Sequence, residues 1–380
     1  MSAISKEAHQ ALAAGMHGPV ILPDDPRYDE ARGIWNAMID KHPGAIARCS
    51  GCADVMHAVS VARDQGLLVS VRSGGHNIAG NALCDDGLTI DLSSMKSVRI
   101  DPDARLAYVE PGATLGDFDH EAQAFGLATS LGINSTTGVA GLTLGGGFGW
   151  LTRKHGLTVD NLVAADLVTA DGERLRVSED EHADLFWAIR GGGGNFGVVT
   201  QLVFKLHPVG PQVLCGLVVY PFKQAGAVLR RYREYVGTIP DELSVWVVLR
   251  KAPPLPFLPE PVHGRDVVVF AFMHSGDVDE GERLIQPLRR FGEPYGEHIG
   301  STPYAAWQQA FDPLLTPGHA TIGSRTTSPR SATMPSTSLS NTRPGCHRPS
   351  AKSSSRCSAA RPIASPRTPP PMRTGTSSSS

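Results

Sequence analysis

The stretch from Val71 to Gly80 carries the first residues whose types and spacing could do chemistry: Arg72, Ser73, Gly74, Gly75, His76 and Asn77, closed by Gly80. Two consecutive glycines let the backbone turn sharply and bring successive N–H groups around an anion. Such a nest suits a pyrophosphate. Arg72 adds charge beside it, or pairs with a carboxylate of the body. His76 follows at once, where it could reach a ring held over bound phosphates. A histidine standing by itself would read as a hydrogen-bonded structural residue.

A second segment, residues 132–149, holds seven glycines in 18 positions. Its Gly138, Gly141, Gly145, Gly146 and Gly147 leave backbone bare of Cβ atoms, and Thr136 and Thr137 offer hydroxyls and backbone donors. We expect an irregular ribbon against which a ligand presses. A third segment contains G-x-G-x-x-G at Gly192, Gly194 and Gly197. The dinucleotide fingerprint must follow a strand and open a helix, and this one follows a helical pattern and precedes a strand. It is therefore not a dinucleotide signature. The chain has no G-x-x-x-x-G-K-[ST], H-E-x-x-H or G-x-S-x-G, so P-loop, zinc-peptidase and ordinary hydrolase chemistry lack support. Cys49 and Cys52 form a lone C-x-x-C with no second pair at zinc spacing, and we read them as incidental small residues.

These segments must be positioned by the elements between them. Apolar runs predict strands at residues 45–48, 67–72, 88–91, 107–109, 162–169, 175–177 and 198–206, and helices at 53–65, 115–125 and 184–189. The pattern is α+β, without the regular alternation of a doubly wound sheet. Residues 208–210 read as a boundary. Beyond it come strands at 214–220, 243–249 and 266–273, and a helix at 225–236 with Val228, Leu229, Tyr232, Tyr235 and Val236 on one face.

The chain has 380 residues, long enough for two domains, and no apolar run approaches a membrane span. No signal-peptide pattern opens it, so the cytoplasm is the expected location. The final 61 residues contain nine Lys and Arg and no Asp, Glu, Phe, Tyr, Trp, Val or Gln. The rest holds 26 basic and 37 acidic residues, a net of −11, which argues against nucleic acid as a partner. A disordered Ser/Pro/Arg tail has the terminal composition. Synonymous codons read one base out of register would restore aromatic and acidic residues there. We read residues 319–380 as a frameshifted, disordered tail, with the shift near His319.

Taken together, Arg72-Ser73-Gly74-Gly75-His76-Asn77, the run from Gly138 to Leu151, and the runs 184–193 and 195–200 closely resemble the berberine-bridge-enzyme-like FAD-linked oxidoreductases of the vanillyl-alcohol oxidase/p-cresol methylhydroxylase (PCMH) superfamily. The resemblance covers roughly residues 20–318. It implies a two-part PCMH-type FAD-binding domain over residues 1–210, then a partial antiparallel-sheet substrate domain over 211–318. FAD is the implied cofactor. Gly74 and Gly75 would lie on its pyrophosphate, and Gly138, Gly141 and Gly145–Gly147 along its isoalloxazine and ribityl chain. Val199 would approach the adenine side through its backbone. Arg72, Ser73, Asn77, Gly80, Thr136, Thr137 and Gly197 complete the implied cofactor-binding set. His76 matches the histidine that bonds covalently to the flavin 8α-methyl carbon, a link that holds the cofactor and favours hydride acceptance.

Bicovalent members add a cysteine in Gly-x-Cys. Here the triplet is Gly132-Ile133-Asn134, so a single link through His76 is expected. Thr137 stands where the family often has an aliphatic residue influencing oxygen access, which leaves oxidase and dehydrogenase both open. The implied reaction takes a hydride from an alcohol or amine carbon of a small organic substrate and passes electrons to oxygen or another acceptor. No catalytic base is assigned; Tyr220 and Tyr304 read as packing residues. An inert flavin-binding protein and a non-redox nucleotide binder are the alternatives.

Overall fold

The computed structural model describes residues 4–316 and 318. The reading of residues 319–380 as a frameshifted tail lies outside them, as do Cys346 and Cys357.

The first layer is built from helices α1 (Lys6–Gly15), α2 (Tyr28–Arg32) and α3 (Cys52–Asp64), and from strands β1 (Val20–Ile21), β2 (Ala45–Arg48), β3 (Val69–Arg72) and β4 (Leu88–Asp91). The sheet order is β1-β2-β4-β3, with β2, β4 and β3 parallel. Every residue of β4 is buried, as a parallel strand covered on both faces should be. The register places Arg48, Asp91 and Arg72 side by side at the carboxyl ends of the three strands. The segment 73–80 leaves from that end. Ligands of open α/β sheets characteristically bind outside the carboxyl ends of the strands.

The second layer holds β5 (Val98–Asp101), β6 (Leu106–Val109), β8 (Leu162–Val168), β9 (Arg174–Ser178) and β10 (Val198–Lys205), antiparallel in the order β5-β6-β10-β8-β9. Its helices are α4 (Leu115–Gln123), α5 (Val139–Leu144), α6 (Thr152–His155) and α7 (Ala183–Ile189), and a short pair joins β7 (Leu127–Ala128) to β11 (His207–Pro208). Helix α3 lies between the two sheets: Val55, Ala58, Val59 and Ala62 pack with Leu88 and Ile90 of β4 and with Val168 and Val198 of β8 and β10. Thr114 and Asp117 close a capping box at the start of α4.

The third sheet is antiparallel, β13-β14-β12-β15, from β12 (Gln212–Pro221), β13 (Leu243–Lys251), β14 (Asp266–His274) and β15 (Gly296–Pro303). Helices α8 (Ala225–Val236) and α9 (Val278–Leu284) belong to this part, followed by α10 (Tyr304–Gln308). One sheet face, with Leu214, Val218, Tyr220, Phe270 and Phe272, packs on the apolar stripe of α8. That stripe is the one its periodicity predicts: Val228, Leu229, Tyr232, Tyr235 and Val236. The opposite face carries Cys215, Leu217, Val219, Trp246, Val248, Val269 and Ala271.

The expected irregular ribbon over residues 132–149 is corrected in its middle, where α5 forms. Val139, Ala140 and Thr143 are buried on one side of that turn, and Gly141 is exposed on the other. Burial of one apolar side outweighs the poor helix propensity of glycine there. Segment ends move by one or two residues, as with α3, which starts at Cys52. The glycine run 191–197 does follow α7 and precede β10. Tyr220 and Tyr304 are buried packing residues; the Tyr220 hydroxyl donates to the Leu288 carbonyl. Among the described residues no helix is long and apolar enough to cross a membrane.

Candidate functional site

The three glycine-rich segments meet. Gly74 and Gly138 touch backbone to backbone: a Cβ on Gly74 would stand 2.4 Å from the Gly138 nitrogen, and one on Gly138 would stand 2.6 Å from the Gly74 nitrogen. Only glycine at both positions allows that approach. The Gly193 N–H donates to the Leu144 carbonyl, 2.9 Å, which ties the third segment to the end of α5. The Thr158 and Val159 amides donate to the Gly147 and Gly146 carbonyls, both at 3.0 Å, which fixes the loop after it.

His76 lies where the first two segments join. Its Nε2 is 3.0 Å from Thr136 Oγ1, and its Nδ1 is 3.5 Å from Thr137 Oγ1. Asn134, buried, organises this corner. Its Oδ1 accepts from the Thr136 backbone N–H at 3.0 Å and from Thr136 Oγ1 at 2.7 Å. A backbone N–H only donates, so it fixes which end of the Asn134 amide is the oxygen. The Thr136 hydroxyl proton is then committed to Asn134, and Thr136 Oγ1 is left to accept from His76. The imidazole therefore holds its proton on Nε2 and its lone pair on Nδ1. Burial depresses the pKa of His76, which keeps the ring neutral at pH 7. Trp35 stacks on the same ring, and its indole N–H donates to the Leu315 carbonyl, 3.2 Å, which also accepts from Asn134 Nδ2 at 3.1 Å.

Other expected site residues are placed as follows. Ser73 Oγ donates to the Pro111 carbonyl. Arg72 donates through Nη1 to the Ala31 carbonyl rather than to a carboxylate, and its Nε is buried without a protein partner among the described residues. Burial lowers its pKa, with Asp91 opposing. Asn77 Oδ1 accepts from the Asn81 N–H at 2.9 Å, which braces the loop around Gly80. Gly80 packs on Ile39, Gly197 packs on the Val168 carbonyl and Leu167, and Val199 is buried in β10 opposite Leu167, so these three pack against the frame rather than the His76 corner.

A flat heteroaromatic dinucleotide fits this chain on a direct observation. A Cβ built on Gly141, Gly146, Gly193 or Gly194 meets nothing within 4 Å, in contrast to the crowded Gly74 and Gly138. These glycines border open space, which is what a cradle pressed by a ligand requires. The second segment is anchored to the third sheet: Trp150, which follows it and is buried, stacks on Trp246 with ring centroids 4.7 Å apart, and Ser244 Oγ donates to the Trp150 carbonyl at 2.6 Å. Trp35 carries no signal in the sequence pattern, and nothing there shows that Asn134, Thr136 and His76 form a relay. In the lone C-x-x-C, Cys49 is buried and Cys52 half-buried, and both are free.

Residues 43–178 match the FAD binding domain family. The chain is 37% identical over 300 residues to (R)-6-hydroxynicotine oxidase of Paenarthrobacter nicotinovorans, covering 77% of this chain and 63% of that protein. Its structure matches that of 6-hydroxy-D-nicotine oxidase from Arthrobacter nicotinovorans with a TM-score of 0.71 at 35% identity, over 81% of this chain and 65% of the other. It also matches glucooligosaccharide oxidase from Acremonium strictum, described as carrying 6-S-cysteinyl, 8α-N1-histidyl FAD, with a TM-score of 0.71 at 28% identity, over 80% and 62%. The chain spans a little under two thirds of the length of these relatives. The FAD binding domain, with relatives among 6-hydroxynicotine, berberine-bridge-enzyme-like and oligosaccharide oxidases, places the chain in the vanillyl-alcohol oxidase/p-cresol methylhydroxylase FAD-binding superfamily.

Proposed function

We propose that this protein is an FAD-dependent oxidoreductase that holds its flavin by one covalent bond, from His76 to the 8α-methyl carbon. Residues 1–210 would form the FAD-binding domain and 211–318 the substrate domain. The observation that carries the reading is the relay Asn134–Thr136–His76, which presents an imidazole lone pair on Nδ1 beside a cradle of bare backbone. Bound FAD supplies a two-electron acceptor. This chain's own residues do the rest: Asn134 and Thr136 hold the Nε2 proton, Gly141 and Gly146 leave room for the ring system, and the inner face of the third sheet holds the substrate carbon to be oxidised. Nicotine and oligosaccharide oxidases among the relatives support hydride removal from an amine or alcohol carbon, with dioxygen or another acceptor taking the electrons. Asn134 stands where a cysteinyl link would need a thiol, which supports a single bond.

The test is to incubate the apo-chain with FAD, denature it and look for flavin fluorescence in the gel, then map the modified peptide by mass spectrometry. We expect a fluorescent band whose added mass sits on His76 and which His76→Ala removes. Flavin that leaves entirely on denaturation would refute the covalent link. Flavin that stays attached but is never reduced by amines or alcohols would leave an inert flavoprotein.

A further inference from the structure

Beside the His76 corner, the inner face of the third sheet forms a cavity of about 190 Å³. Its inner end is Ile133, next to Asn134, with Phe311, Leu314 and Leu315 alongside. Its floor follows the sheet register in three rows: Trp246, Ala271 and Leu217, then Val248, Val269 and Val219, then Arg250 and Val267. Ala252, Pro253, Leu255 and Leu258 close the outer end. Among all these lining residues Arg250 alone is charged. It is half-buried and has no carboxylate partner among the described residues; its Nε donates only to the neighbouring Lys251 carbonyl, 3.2 Å. Lys251, on the other face of β13, takes Asp266 as its partner.

We propose that this cavity binds an apolar, ring-bearing alcohol or amine that carries a carboxylate at the end remote from the oxidised carbon, with Arg250 receiving the carboxylate. The inference rests on the flavoprotein reading above and names its substrate class. A sugar chain presents hydroxyls all round, and each one buried without a partner costs on the order of 1–3 kcal/mol; the side chains of this lining offer them one guanidinium, the Trp246 indole N–H and no acceptor. An apolar body fits, because its burial is favourable and demands no partners. A guanidinium at the far wall suits a carboxylate, which it can engage through two parallel N–H groups. Successive rows on one strand face are about 6.6 Å apart, so Arg250 stands about 13 Å along β13 from Trp246 before its side chain reaches back. A neighbouring trough of about 440 Å³ shares Leu217 and Leu255 but runs toward β15, where His298 and Thr302 face it. It is the place a neutral polyol would use instead.

The experiment compares binding of 4-(hydroxymethyl)cinnamate, its methyl ester and cellobiose to the full chain by isothermal titration calorimetry, with Arg250→Gln, Arg250→Lys and His298→Ala. We expect the acid to bind about tenfold tighter than its ester, Arg250→Gln to erase that preference without weakening the ester, and Arg250→Lys to restore part of it. Equal binding of acid and ester, a preference that survives Arg250→Gln, or cellobiose binding tighter than the acid and lost in His298→Ala would each overturn the proposal. Flavin content is read separately from gel fluorescence. A chain that prefers the acid but takes up no flavin keeps the Arg250 carboxylate site and sinks the flavoprotein reading; a flavinylated chain without the preference sinks the site and keeps that reading.

Discussion

The Trp35 indole lies on the His76 imidazole, ring centroids 5.3 Å apart and planes 25° from parallel, although 41 positions of chain separate them. The stack restricts the imidazole to the orientation in which Nε2 reaches Thr136. It also shields the ring from water, the condition that depresses its pKa. Trp35→Ala should slow covalent attachment of FAD by about tenfold or more while the folded chain remains. Trp35→Phe keeps a stacked ring but not the N–H to Leu315, and should retain most of the rate. A time course of flavin fluorescence in denatured samples checks both. Equal rates for all three chains would mean that the stack does not position the histidine.

The Nε2-protonated tautomer of His76 makes a separate demand on Thr136. Its Oγ1 donates to Asn134 and accepts from His76, so both partners need a hydroxyl and nothing more. Thr136→Ser should flavinylate like the parent chain. Thr136→Val, nearly the same shape, should flavinylate slowly, and with part of the product linked through Nε2, because the proton is no longer held there. Mapping the linkage position in the modified peptide by NMR decides the matter. Exclusive Nδ1 linkage in the valine variant would show that something other than Thr136 sets the tautomer.

Two glycines of the same loop should fail in opposite ways. Gly138→Ala drives a Cβ into the Gly74 backbone, 2.6 Å away, and neither strand of chain can give without moving the loop. It should destabilise the apo-chain by roughly 2–4 kcal/mol, seen as a lowered urea midpoint. Gly141 has open space where its Cβ would go. Gly141→Ala should leave apo stability unchanged or slightly raised, since alanine favours the helix, yet cut FAD affinity by tenfold or more as the methyl enters the cradle. Unimpaired FAD binding by Gly141→Ala would remove that glycine from the cofactor site.

Much of this was readable before the fold was seen, for identifiable reasons. Helix α8 announces itself because Val228, Leu229, Tyr232, Tyr235 and Val236 fall on one face at the helical period. The glycine segments stand out because their cost has to be repaid by close approach, as at Gly74 and Gly138. Helix α5 is masked by that same glycine content. Strand β15, Gly296–Pro303, has no apolar alternation at all; it is a strand only because β12 pairs with it over eight positions, from Gln212 opposite Pro303 to Val219 opposite Gly296. Trp35 gains its role from His76 and Leu315, far away in sequence, and Arg250 from the sheet register that sets it on the cavity face, so no local pattern marks either.

A pH dependence of stability follows from Asp119, on α4. Its carboxyl is buried, with Gln308 Nε2 donating to Oδ2 at 3.2 Å and Oδ1 left without a partner. Burial raises its pKa to about 7, against the hydrogen bond from Gln308. In the unfolded chain the same group titrates near 4. Between those values the folded chain keeps a proton that the unfolded chain has released. The stabilisation is therefore complete below about pH 4 and is lost as pH rises through about 7. Asp119→Asn has no proton to lose, so its melting temperature should match the parent near pH 4.5 and exceed it by several degrees at pH 8. The same Gln308 Nε2 also donates to the Gly132 carbonyl, 3.1 Å, at the start of the loop that carries Asn134. Ionisation of Asp119 strengthens its hold on Gln308 and should draw that amide away from Gly132, which loosens the loop, so parent-chain flavin attachment should slow above pH 7 while the asparagine variant does not. Thermal melts and attachment rates across pH 4.5–8.5 give both readings, and parallel curves for the two chains would place the pKa of Asp119 outside this range.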